Sequence, residues 1–270
     1  KAHVLNQRCM EILTDVGVAG EIYRRGTPRE NMRYSAYYLG LAGPDPAYGR
    51  QLGRLESWGA GGLDLDWERA SACQQTNLPQ IRLEPILKAG AEAMAPGRVR
   101  FHTELTDLAQ DADGVTATIV DRGTGTESTV RARYLIAADG GRTVGRRLGV
   151  ELEGTRDVAR IVSVYMSADL SRWARDPDVL IRWIWEPRRG LMATLVPMGP
   201  DHWGPASEEW VFHLNYENAD TRALDDATVV ADMKAVLGVP DLDATIHVVS
   251  RWTLEGILAD RFQVGRVFMV

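Results

Sequence analysis

"YLIAADGGRTVGRRLGV", residues 134–150, ends an apolar run, turns at Asp139-Gly140-Gly141 and continues into a short basic segment. A short apolar run bounded by turn residues reads as a buried strand, here over 134–138. In open α/β sheets ligands bind outside the carboxyl ends of the strands, where an acidic side chain can accept from sugar-type hydroxyls and glycine lets the backbone approach. Asp139 and Gly140 occupy such a position. Asp-Gly after a strand also reads as a plain turn, so the weight rests on the sequence around it.

Upstream, residues 99–111, 114–121 and 128–139 ("VRFHTELTDLAQD", "GVTATIVD", "STVRARYLIAAD") alternate apolar and polar residues between "ADG" and "GTGT" turn signals. This predicts a three-stranded meander feeding the buried strand. Further upstream, Val4, Leu5, Cys9, Ile12, Leu13 and Val16 fall on one helical face, predicting a helix over 4–16 that stops at Gly17. A second helix is predicted within "IRLEPILKAGAEAM", starting near Arg82 or Leu83 because Pro85 belongs in a first turn. Residues 32–77, rich in Gly, Tyr and turn residues, read as short strands and loops.

Downstream of Val150, "IVSVYMSADL", "VLIRWIWEP", "GLMATLVPMG" and "EEWVFHLNY" are four successive strand candidates, followed by one helix ("DDATVVADMKAVLG") and a further strand ("ATIHVVSRW"). The last residues, "ADRFQVGRVFMV", return to a short apolar strand of the parallel-sheet type. The fold class is therefore α/β: a doubly wound parallel sheet with a β-meander, plus a second, mostly antiparallel sheet domain. The expected division is 1–150 for the first domain, with a loop and strand insertion at about 32–77, then 151–256 for the sheet domain and 257–270 for the returning strand.

With 270 residues, 45% of them apolar, the chain is an ordinary folded protein, and a net charge of -6 without a basic, aromatic-interleaved run argues against nucleic acid. No apolar run is long enough to cross a bilayer. Cys9 and Cys73 lack CxxC spacing, and His102, His202, His213 and His247 form no metal-ligand pattern, so no metal site is expected and these histidines read as strand or loop residues. No GxSxG elbow occurs. A small-molecule ligand and the cytoplasm are the expected setting; oligomeric state, homo-oligomer included, stays open.

Taken in order, "KAHVLNQRCMEIL", "NLPQIRLEPIL", "YLIAADGGRTVGRRLGV" and "ADRFQVGRVFMV" resemble the flavin-dependent aromatic hydroxylases, with the phenol and 2,4-dichlorophenol hydroxylase branch the nearest in look. The resemblance implies an FAD- and NAD(P)H-dependent monooxygenase that hydroxylates a phenolic ring with O2 through a flavin C4a-hydroperoxide. Other activities of the same fold, an epoxidase or a reductase, remain alternatives, as does a non-catalytic FAD-binding remnant. It further implies that Asp139 and Gly140 touch FAD, that Arg142 and Lys1 serve its phosphates, that Gln80 bonds the flavin cofactor and that Leu105 meets adenine through its main chain. His3 falls where relatives carry an acidic residue near the substrate oxygen, and is the candidate catalytic base. Strand alternation puts Trp183 and Trp185 on one face and Met192 and Thr194 on another, candidates for an apolar substrate wall; the alternative is that they pack the sheet against its helix. By the same resemblance the chain looks like a piece of a longer protein, lacking the initial strand with its GxGxxG turn and the Gly-Asp motif after the last strand. The segment by itself is expected to be inactive.

Overall fold

The computed structural model describes residues 3–141, 143–216 and 222–270. The chain divides into two compact units, Lys1–Met94 with Ala159–Leu254, and Ala95–Val158 with Glu255–Val270. This differs from the boundaries expected from sequence. Residues 1–94 do not cluster with the meander; they belong with the large sheet, because the segment read as an insertion supplies two of its strands.

The first unit is built on a seven-stranded sheet. From edge to edge its strands are Ala244–Ala259, Leu152–Ala168, Glu209–Tyr216, Leu191–Gly199, Val179–Glu186, Tyr34–Leu39 and Gln51–Glu56. The pairing of Val179–Glu186 with Tyr34–Leu39 is parallel; Val179–Glu186 with Leu191–Gly199, Leu191–Gly199 with Glu209–Tyr216, Glu209–Tyr216 with Leu152–Ala168 and Tyr34–Leu39 with Gln51–Glu56 are antiparallel. Alternation along each strand sorts the side chains onto two faces. On one face Val164, Met166, Ile184, Ala193, Leu195, Trp210, Phe212 and Leu214 are fully buried with Val229, Met233, Val236 and Leu237 of helix Asp226–Leu237. At roughly 1.5 to 3 kcal/mol per buried large apolar side chain, this layer is the main source of the unit's stability. The helix starts where Asp225 accepts from the Thr228 N–H at 2.8 Å and stops at Gly238. Gly238 has φ +74°, and a Cβ there would lie 1.7 Å from the Ala42 carbonyl oxygen, so only glycine fits.

The opposite face of this sheet carries a smaller core, Met32, Leu180, Val196, Met198 and Val211, packed with Val4, Trp58, Tyr165 and Ile181. The N-terminal segment reaches it as a two-residue strand, Val4–Leu5, antiparallel to Thr76–Asn77. The first helix therefore begins later than predicted, at Gln7–Asp15, because Asn6 caps it by accepting from the Cys9 N–H at 2.8 Å. The second helix is Gln80–Met94; it begins two residues before the expected start and carries Pro85 in its second turn.

The second unit contains the predicted meander, Thr103–Gln110, Val115–Asp121 and Glu127–Ala132, in that order. It also contains Leu135–Ala137, which pairs in parallel with Val267–Met269, with Gln263–Val264 beyond. The returning strand thus joins the strand that ends at the Asp-Gly turn. Val115, Ala137, Val144, Val267 and Met269 form the core between these pieces. The expected burial of residues 134–138 does not hold throughout: Ala137 is buried and Leu135 half-buried, whereas Tyr134, Ile136 and Ala138 alternate onto the other side and are exposed.

Candidate functional site: an imidazole pair on one sheet face and an Asp-Gly turn

In the second unit, the Asp139 carboxylate organises the turn that follows its strand. Oδ1 accepts from the Gly141 N–H at 3.0 Å, and Oδ2 accepts from those of Thr143 and Val144 at 2.8 Å each. Partial burial works to raise the carboxyl's pKa, and the N–H donors of Val144, Thr143 and Gly141 outweigh it, holding Asp139 below the usual carboxylate range. Gly140 and Gly141 have φ of +67° and +70°, and a Cβ on either would meet nothing within 4 Å. The glycines are needed for the left-handed turn, and the space beside them is open. Leu105, half-buried in the core, immediately precedes an irregularity between Leu105 and Asp107 in the ladder to Val115–Asp121. A bulge of this kind interrupts strand pairing and frees main-chain groups. Lys1 and Arg142 lie outside the described residues.

In the first unit, direct strand partners form a row across the face away from the helix: Tyr37, Trp183, Thr194, His213 and Ser163. Trp183 and Tyr37 stack with centroids 6.3 Å apart. The next row holds Trp185 and Met192, opposite each other and nearly half exposed. All four residues expected to form a substrate wall thus share one face. The alternative that they pack against the helix is overturned, because the helix covers the other side. They do not line the apolar cavity of about 200 Å³ on this face, which is bounded by Pro79, Gln80, Ile81, Ser163, Tyr165, Met198, Val211, Val248 and Ser250.

His3 is placed beside this row by the Val4–Leu5 strand, with its carbonyl accepting from the Leu78 N–H at 2.8 Å. Its Nδ1 lies 2.7 Å from Asn77 Oδ1. The orientation of the Asn77 amide follows from its other contacts. Thr27 Oγ1 donates to the Asn77 carbonyl, so it can only accept from Asn77 Nδ2, at 2.9 Å, and Nδ2 also points to the Pro197 carbonyl at 3.5 Å. Oδ1 therefore faces His3, and His3 must donate through Nδ1–H. This leaves the neutral ring with Nε2 as an acceptor that no described residue fills. Burial pushes its pKa down, opposed by the Asn77 hydrogen bond.

Sequence reasoning missed the partner of this ring. His213, on strand Glu209–Tyr216, stacks on His3 with centroids 6.3 Å apart and planes 16° from parallel. Its Nδ1 is 2.7 Å from Ser163 Oγ, and Ser163 also accepts from Trp252 Nε1–H at 3.1 Å. Burial, then the neighbouring His3, push the His213 pKa down to about 4. Farther along the same face, Arg82 donates to the Met198 carbonyl at 2.9 Å and pairs with Glu209, to which Tyr165 donates its hydroxyl. Burial, then Glu209, raise Tyr165 to about 12. His247 tilts against Tyr165 and bonds Ser167. The only sequence signal for these was alternation in "WVFHLNY", which puts Val211, His213 and Asn215 on the face opposite Trp210, Phe212 and Leu214.

The FAD binding domain model matches residues 1–270, and the chain belongs to that family. The 2,4-dichlorophenol 6-monooxygenase of Cupriavidus pinatubonensis is 32% identical over 273 residues, covering 99% of this chain and 44% of that protein. Phenol 2-monooxygenase of a Pseudomonas species is 32% identical over 275 residues, covering 99% and 41%. The chain spans less than half the length of these curated relatives. Among solved structures, the flavin-dependent monooxygenase PieE in complex with FAD and substrate matches with a TM-score of 0.84 at 34% identity, over all of this chain and 45% of that one. Aklavinone-11 hydroxylase with FAD and aklavinone shares the fold, with a TM-score of 0.81 at 24% identity over all of this chain and 49% of that one.

The residues present fit the cofactor. Backbone N–H groups hold the Asp139 carboxylate ionised and fixed at the carboxyl end of its strand, half-exposed, where it can accept from a hydroxyl of the cofactor. The space beside Gly140 lets the backbone be approached, and the irregular ladder after Leu105 suits a main-chain contact. Gln80, at the first turn of its helix, lines the cavity.

Proposed function

We propose that this chain is the FAD- and substrate-binding part of a monooxygenase that hydroxylates a phenolic ring with NAD(P)H and O2 in the cytoplasm. The observation that carries this reading is the His3 ring, its Nδ1–H committed to Asn77 and its Nε2 filled by no described residue, on a sheet face lined by Trp183, Thr194, Tyr165 and Val211. A phenol hydroxyl placed on Nε2 gives up or shares its proton there, which raises the electron density of the ring, since phenolate is the better nucleophile. Asn77 holds the imidazole in the tautomer that can accept. Trp183 and Thr194 share this face with His213, and their apolar surface keeps water away from the bound ring. Gln80, Leu105, Asp139 and Gly140 are the residues that would hold FAD. When bound, FAD supplies reduction by NAD(P)H and the activation of oxygen. The curated relatives act, by their names, on phenol and 2,4-dichlorophenol, which supports a phenolic substrate.

The test is oxygen uptake by the FAD-loaded protein with a panel of phenols, with product analysis. Uptake stimulated by a phenol and matched by a hydroxylated ring is the expected result. Epoxide formed from an alkene, or substrate reduced without oxygen uptake, would replace the proposal with one of its alternatives. His3→Gln should slow oxygen transfer more than flavin reduction in stopped-flow absorbance; equal loss in both steps would make His3 structural.

A further inference from the structure

His3 and His213 are both half-buried, and among the described residues no carboxylate bonds either ring. Among the described residues, the groups facing the pair from the surrounding elements are neutral: Asn77 from Thr76–Asn77, Thr194 from Leu191–Gly199, Ser163 from Leu152–Ala168 and Trp252 from Ala244–Ala259. The positive amino terminus also acts on both rings and further disfavours a proton on them. The charged pair on this face, Arg82 with Glu209, lies four residues along the strand from His213, and Arg82 compensates Glu209. Trp252 Nε1–H donates to Ser163 Oγ, which in turn bonds His213 Nδ1, and burial favours the neutral form of this ring.

Two near-parallel imidazoles in a poorly solvated site cannot both carry a proton, because like charges at this range disfavour the second ionisation. Resting on the proposed function above, we propose that His213 is a positioning residue for His3 and that the pair, having room for a single proton and no anion to stabilise it, selects phenols acidified by electron-withdrawing substituents. The arithmetic favours this class. A phenol as weakly acidic as tyrosine, about 10, facing an imidazole at about 6.5, transfers its proton with an equilibrium constant of roughly 1 in 3000. Anything that lowers the proton affinity of His3 widens that gap, tenfold per unit. Electron-withdrawing groups on the phenol close it from the other side. The proton moves from the phenol oxygen to His3 Nε2, leaving phenolate beside imidazolium, and no other reactant is needed.

The experiment uses the FAD-loaded protein with 4-nitrophenol, whose phenolate has its own visible absorbance, and with unsubstituted phenol followed by ultraviolet difference spectra. At about pH 7 bound 4-nitrophenol should be substantially ionised and bound phenol should not. His213→Phe, which keeps a ring against His3 and removes the second basic nitrogen, should raise the phenolate-to-phenol ratio of the bound ligand severalfold. A purely structural role for His213 would instead weaken binding of both ligands equally and leave the ratio unmoved, and that result overturns the proposal; so does unsubstituted phenol ionising as readily as 4-nitrophenol. Histidine ring NMR of the unsubstituted protein provides the second measurement, independent of any variant: both rings should be neutral at about pH 7 and the two titrations should be mutually displaced. Two independent titrations near 6.5 overturn the coupling. Hydroxylation of phenols with an unmoved ratio sinks only the role of His213, whereas absence of any phenol binding sinks the functional reading itself, and the substrate class with it.

Discussion

Replacing His213 by Gln removes a titrating ring whose folded-state pKa lies at about 4 against an ordinary value of 6.5, and this has a defined consequence for stability. The folded value is lowered, so the unfolded chain binds the proton more readily, and stability rises with pH across the window between the two values. The contribution of His213 is therefore fully present above the unfolded value and is lost as the pH falls toward the folded one. Between about pH 7 and about pH 5 the linkage relation gives ~2 kcal/mol, and discounting for the ring's partial exposure leaves about 1 to 2 kcal/mol. The assay is urea unfolding followed by tryptophan fluorescence at both pH values, for the parent and for His213→Gln. His202 is raised by its bond to Glu208 and works in the opposite sense, but it is common to both proteins and cancels in the difference between them. The parent should lose about 1 to 2 kcal/mol more than the variant on acidification. Parallel losses in the two proteins would refute the reasoning, since they would mean that the buried ring titrates as it does in water.

Asp139→Ala should destabilise the Asp-Gly turn by about 1 to 2 kcal/mol through its three lost N–H partners and weaken FAD retention at least about tenfold; fluorescence titration with FAD and a thermal melt read both. Because the Asp139 carboxyl is held below its ordinary value, its stabilisation is present above about 3.9 and is lost as the pH falls through the folded value. Trp183→Ala should raise the dissociation constant of an aromatic substrate roughly tenfold while leaving FAD binding unchanged, consistent with ~1.5 kcal/mol for a lost aromatic contact; an unchanged substrate affinity would remove Trp183 from the substrate wall. Arg82→Ala leaves Glu209, only about a fifth exposed, without its cation, and should cost about 1 to 3 kcal/mol in urea unfolding. Arg82→Ala combined with Glu209→Gln should recover part of that loss.

The meander, the late strands, their helix and the return of the last strand could all be read from sequence, because each depends on a local signal: alternation, a turn residue or an amphipathic stripe. The placement of residues 34–39 and 51–56 could not, since the choice of strand partner is not local and a glycine-rich segment looks alike in a loop and on a sheet edge. The site divided the same way. Asp139 and Gly140 were visible because a turn after an apolar strand is written in consecutive residues. His3 was visible through its neighbours along the chain, whereas its partners Asn77 and His213 lie 74 and 210 positions away and are brought to it by strand register. The same register explains why Trp183 and Thr194 share a row with His213 while Trp185 and Met192 sit one row off: a shift of one residue would have sent all of them to the helix side.

The parallel pairing of Tyr34–Leu39 with Val179–Glu186 also sets an order of events during synthesis. Tyr34 and Val179, partners in the finished sheet, are 145 residues apart, so the early strand emerges long before the strand that buries its inner side. Contacts this distant in sequence close slowly, because the loop between them must be ordered first. The meander of residues 103–132 consists of neighbouring strands and can form in the interval. Until Val179–Glu186 arrives, Ala36 and Tyr38, both buried in the final sheet, remain on an unpaired strand edge, the kind of surface that draws nascent chains into aggregates. A ribosome-bound chain stopped at about residue 170 should therefore recruit chaperones, and one extended past about residue 200 should release them.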